Sequence, residues 1–96
     1  MKTLKKVEIE PVFVDFIPRE LEPNKIYISE EYGVAVHNCL CGCGEKTVMP
    51  FDDNRPDLWQ LVKEKNGKVS FIGSVGNYSF ACKSHYIITN NVANFV

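Results

Sequence analysis

Two short stretches of the chain carry all four Cys and both His. The first is His37-Asn38-Cys39-Leu40-Cys41-Gly42-Cys43-Gly44-Glu45, and the second is Cys82-Lys83-Ser84-His85. Thiolate and imidazole donors brought together in fours suit a tetrahedral zinc ion. The expected ligands are Cys41, Cys43, Cys82 and His85, with Cys39 competing with Cys41 for its place. Gly42 and Gly44 follow Cys41 and Cys43, and a glycine there allows the positive φ that a tight loop around an ion needs. Such a loop can also turn backbone N–H groups toward the sulfurs and spread their charge. The simpler alternative is a set of buried thiols and two ordinary histidines.

Six candidate ligands compete for four places, and the surplus is itself informative. Cys39 and His37, left off the metal, could form a thiolate–imidazole pair suited to nucleophilic catalysis. His37 ends an apolar strand, so it reads equally well as a capped core histidine. Glu45 could act as a general base on zinc-bound water, although a solvent-facing carboxylate beside Lys46 is the plainer reading. Ser70, Ser74 and Ser84 read as turn or capping residues, because a serine nucleophile needs a base within reach. Trp59, Phe71 and Tyr78 read as core aromatics, and Asp52, Asp53 and Asp57 as a solvated acidic loop. The chain contains no P-loop, dinucleotide-binding glycine pattern, HExxH or GxSxG.

These residues must be positioned by a small body. Ninety-six residues make one domain, 1–96, expected to be a single zinc-binding unit. At this size the core leaves a thin margin that a metal can supplement. Apolar residues at 45% and charged residues at 24% exclude disorder, and a net charge of -1 argues against a nucleic-acid binder. The start, Met1 to Val7, runs at once into Glu8 and Glu10, and no apolar run approaches a membrane span. The expectation is a cytoplasmic chain with reduced thiols and no membrane partner.

The pattern along the chain is mostly β. Val7–Phe16 predicts a strand, interrupted at Pro11. Pro18 and Pro23 bracket a turn or a single helical turn. Lys25–Ser29 and Val34–His37 predict strands, the second running directly into the cysteines. Asp57–Lys65 is ambiguous by spacing, but Asn66-Gly67 predicts a type I′ hairpin that pairs Trp59–Lys65 with Lys68–Ile72. Asn90-Asn91 predicts a two-residue turn between His85–Thr89 and Val92–Phe95. The expected fold is a small antiparallel β domain whose zinc site joins two hairpin or loop regions, with at most one short helix.

The order of these segments resembles a known family. It includes Phe16-Ile17-Pro18, Ile26-Tyr27-Ile28-Ser29, His37 through Gly44, Val48-Met49-Pro50, Trp59, Ser74 through Tyr78, and Cys82-Lys83-Ser84-His85-Tyr86. Over nearly its whole length the chain is similar to the bacterial domain of unknown function family 6527. It departs from that pattern at Leu40 and Gly73, where Pro is frequent, and at Tyr78 and Ile87, where Trp is frequent. The resemblance implies a place beside bacterial ubiquitin-like proteins, their activating and conjugating enzymes and JAB-type peptidases, in antiviral or conjugation systems. By that analogy the protein is a processing or deconjugating peptidase acting on a ubiquitin-like protein. The alternative is a non-catalytic zinc-stabilised binding module or ligase-like adaptor that docks such a protein or its conjugating enzymes. A zinc-finger role on nucleic acid starts poorly, since Lys63, Lys65 and Lys68 make only a modest basic patch.

Overall fold

The computed structural model describes residues 6–76 and 83–96. Ten strands form among them: β1 (Lys6–Glu8), β2 (Glu10–Phe13), β3 (Lys25–Ser29), β4 (Val34–Asn38), β5 (Lys46–Pro50), β6 (Gln60–Lys63), β7 (Val69–Ile72), β8 (Val75–Gly76), β9 (His85–Thr89) and β10 (Val92–Phe95). They assemble as a sheet β1-β10-β9-β8, a sheet β2-β3-β4-β5 and the hairpin β6-β7. No helix occurs among the described residues, and the expected mostly β fold is what forms.

The first strand breaks at Ile9 rather than at Pro11. The Ile9 N–H is donated to the Asn91 carbonyl of one sheet, and the Glu10 N–H to the Asn24 carbonyl of the other. One continuous β-rich segment thus serves two sheets, with Ile9 buried at the crossing. Pro11 sits on an edge strand, where its missing N–H costs nothing.

β2 and β3 pair in parallel, whereas the other pairs of named strands are antiparallel. A parallel pair requires the chain to travel back before it re-enters the sheet. The stretch between Val14 and Asn24 makes that return without a helix, as its prolines demand. It covers the outer face of the sheet: the Glu22 N–H is donated to the Tyr27 hydroxyl at 3.2 Å, and the Asn38 side-chain amide to the Leu21 carbonyl at 2.9 Å.

The two predicted hairpins form with different turns. Thr89 pairs with Val92 across Asn90 and Asn91, whose φ values of 50° and 64° are the two positive angles of a type I′ turn. Asn66-Gly67 behaves otherwise. The ladder ends at Lys63 and Val69, the Glu64 N–H bonds the Lys68 carbonyl, and the Gly67 N–H bonds the Glu64 carbonyl. Gly67 has a positive φ of 82° and Asn66 does not, so the connection has three residues, ending in a glycine bulge.

Ile26, Ile28, Ala35, Cys39 and Met49 of the β2–β5 sheet share one buried cluster with Tyr86, Ile88 and Ala93 of the other sheet and Val69 and Phe71 of β7. The β4–β5 pairing was not predicted. It makes Cys39 to Glu45 the loop of a hairpin, because Asn38 pairs with Lys46.

Candidate metal and hydrolase site

The cysteine loop is shaped by its own backbone. The Cys39 N–H is donated to the Glu45 carbonyl at 2.7 Å, and the Gly42 N–H to the Cys39 carbonyl at 3.1 Å. Gly42 and Gly44 adopt φ of 93° and 83°, as the sequence requires. This folding gathers three sulfurs: those of Cys39, Cys41 and Cys43 all lie within 4.8 Å of one another, and the first two are 3.4 Å apart. Thiolates around a tetrahedral zinc would be separated by about 3.8 Å, given Zn–S bonds near 2.3 Å. The three cysteines could therefore hold a metal ion, and soft sulfur donors suit a soft or borderline cation. Their exposure is graded, with Cys39 buried, Cys41 half-buried and Cys43 exposed.

The residues expected to complete the set are placed differently. Cys82 lies outside the described residues. His85 opens β9 opposite Gly76 and is half-buried, and it is not part of the sulfur group. Its side chain alternates with that of Tyr86, which faces the core. Cys39 joins the sulfur group alongside Cys41 and Cys43. Glu45 is exposed; its carbonyl holds the loop, and its carboxylate is not part of the group.

Facing the loop is the segment that leads into β9. The Ser84 hydroxyl lies 3.0 Å from the Cys39 sulfur, and both side chains are buried. Two residues along each strand, His37 Nε2 and the Tyr86 hydroxyl meet at 2.7 Å. His37 has no solvent exposure, and its Nδ1 has no hydrogen-bond partner among the described residues. Burial alone pushes its pKa down to about 4, so the imidazole is neutral at pH 7. Neither partner was expected for His37 or Cys39. The available signal was alternation, which puts Ala35 and His37 on one face of β4 and Tyr86 and Ile88 on one face of β9.

The other serines are occupied elsewhere. Ser29 donates to the Asp15 carbonyl. The Ser70 hydroxyl donates to Glu64 and accepts from the Asn90 N–H. Ser74 is exposed, and Ser79 lies outside the described residues, as does Tyr78. Of the described serines, Ser84 is the one whose hydroxyl meets the cysteine loop. A recess lined by Pro23, Asn24, Asn38, Cys39, Gly42 and Gly44 borders the same loop.

Among the described residues, no helix is long and apolar enough to cross a membrane. No curated protein and no solved structure matches the chain. A family model does match, over residues 13–96, and its description ties a protease to a bacterial ubiquitination-like system. This span holds the whole cysteine loop, the His37–Tyr86 pair and Ser84, and by it the chain belongs to the family of bacterial ubiquitination-like system serine proteases, BubE.

Proposed function

We propose that this protein is a peptidase that processes or detaches a ubiquitin-like protein in a bacterial ubiquitination-like system, with Ser84 as its nucleophile and zinc held at the cysteine loop. The observation that carries the reading is the buried contact of the Ser84 hydroxyl with Cys39, at the cysteine loop. Cys39, Cys41 and Cys43 would supply three thiolates, and Cys82 or His85 would supply the fourth ligand. Bound there, zinc would hold the sulfurs as thiolates and tie the loop to the segment that enters β9.

The Ser84 oxygen attacks the carbonyl carbon of the scissile peptide as its proton passes to the Cys39 sulfur, the group it touches at 3.0 Å; His37 is hydrogen-bonded to Tyr86 instead. The C–N bond then breaks as that proton goes to the leaving amine, and water releases the acyl group by the same route. Cys39 paired with His37 is a second possible nucleophile, but grouping with two other sulfurs favours a ligand role for its thiol. Glu45 serves as base only if water attacks directly, and its exposed position gives that route less support. The family description, naming a serine protease, favours the hydroxyl.

The test is incubation of zinc-loaded protein with the system's ubiquitin-like protein carrying a C-terminal extension, with the products weighed by mass spectrometry. A fluorophosphonate probe identifies the reactive serine in the same sample. Cleavage with the label on Ser84 is expected. A label on Ser79 overturns the residue assignment. Tight binding without cleavage replaces the peptidase with the non-catalytic docking module, a reading supported by the way the sulfurs close their own hairpin loop.

A further inference from the structure

Among the described residues β5 is the outer strand of its sheet, and it leaves the cysteine loop directly. The hydrogen-bond pattern shows which of its backbone groups are used. The Cys39 N–H bonds the Glu45 carbonyl, and the Phe51 N–H bonds the Gly33 carbonyl. In the register of this hairpin the odd-numbered residues of β5 therefore bond to β4, Thr47 opposite His37 and Met49 opposite Ala35. The N–H and C=O groups of Lys46 and Val48 point the other way, out of the sheet. Beyond them the edge closes: Pro50 has no N–H, and its carbonyl takes the Trp59 N–H at 3.3 Å. At the opposite edge of the sheet, Pro11 and Phe13 carry the outward groups of β2, and Pro11 again lacks a donor. Val48 is 52% exposed, so the open stretch also presents an apolar side chain.

We propose that Lys46–Val48 is a docking edge for the extended C-terminal tail of the ubiquitin-like substrate, which adds to the sheet as an antiparallel strand. Direction selects this occupant. β5 runs away from the cysteine loop, so an antiparallel strand runs toward it and delivers its C-terminal end to the sulfurs and Ser84. Two N–H and two C=O groups of β5 fix the register of the tail, and backbone bonding makes recognition depend on an extended conformation. The inference rests on the peptidase reading for the identity of the substrate.

The experiment uses synthetic peptides of the substrate tail, N-methylated at one position at a time, with binding to zinc-loaded protein read by fluorescence anisotropy. Strand addition predicts a two-residue alternation: blocked N–H groups that face β5 weaken binding about 3- to 10-fold, and those between them have little effect. On the protein side, Val48→Pro removes an N–H that β4 does not use and is expected to weaken binding by a similar factor, more than Val48→Thr, which keeps that N–H. Retained metal content shows that Val48→Pro still folds; if it does not fold, the peptide series on wild type decides. Loss of affinity without alternation overturns the proposal. The two readings fail separately: cleavage without alternation removes the docking edge and leaves the peptidase, and alternation without cleavage does the reverse.

Discussion

The Ser84 hydroxyl sits 3.0 Å from the sulfur of Cys39, bridging 45 positions of sequence and two sheets. A hydroxyl in that place can do two things, donate to a metal-bound sulfur or attack a carbonyl, and the two roles leave different marks when it is removed.

Ser84→Ala is expected to keep its fold and its metal and to lose at least about 10³-fold in tail cleavage, as removal of a serine nucleophile does. Metal content and cleavage rate are measured on the same sample. A hydroxyl that served only to support the sulfur would instead show a drop in metal affinity of about 10- to 100-fold, with cleavage surviving in the loaded fraction.

The sequence made the parts of this site readable but not their meeting. β3, β9 and β10 and the Asn90-Asn91 turn were legible because their signals are local: β-branched runs, and a pair of residues that tolerate positive φ. The cysteine cluster was legible for the same reason, since its three sulfurs converge within a single loop. β5 was missed because its alternation is weak by composition, with Val48 exposed and Thr47 buried. The Ser84–Cys39 and His37–Tyr86 contacts lie 45 and 49 positions apart and depend on how one sheet lies over the other. Only the packing of the two layers decides that. The break at Ile9 belongs with them, since Pro11 is the louder local signal and two-sheet pairing overrides it.

Tyr86→Phe removes one oxygen from a fully buried contact and leaves both nitrogens of His37 without a partner among the described residues. The expected cost is about 1–3 kcal/mol, the desolvation penalty of an abandoned buried polar group. In a domain of this size that lowers the melting temperature by about 4–8 °C per kcal/mol. Replacing both partners, with His37→Leu in the Tyr86→Phe background, removes the orphaned group and should recover part of the loss. A double-mutant cycle on melting temperature checks it.

The same histidine makes stability depend on pH. Its folded pKa of about 4 lies below the ordinary 6.5, so between these values the unfolded chain binds the proton and the folded chain does not. The stabilisation is complete above pH 6.5 and is lost as pH falls toward 4, by about 3 kcal/mol in all. Metal-binding thiolates also protonate in acid, so the measurement is the difference between wild type and His37→Gln, which keeps a partner for Tyr86. The variant should show a shallower loss of unfolding free energy between pH 6.5 and 4. Parallel curves would show that His37 does not contribute.

Gly44 and Gly67 offer a matched pair for the metal. Both sit at nearly the same positive φ, 83° and 82°, and a Cβ on either meets nothing within 4 Å. Alanine at either place therefore adds backbone strain without a clash, about 1–2 kcal/mol. Gly67 turns the β6–β7 hairpin, away from the sulfurs, whereas Gly44 lies between Cys43 and the Glu45 carbonyl that anchors Cys39. Both variants should melt lower by a similar amount when metal-free. Only Gly44→Ala should also weaken zinc binding, measured by competition with a chromophoric chelator, because its strain is relieved by the loop movement that separates the three thiolates. Cys39→Ser, Cys41→Ser and Cys43→Ser should each lower zinc affinity further than Gly44→Ala, and chelation of wild type should lower its melting temperature. Equal zinc affinity in Gly44→Ala and Gly67→Ala would mean that the ion is not held by this loop.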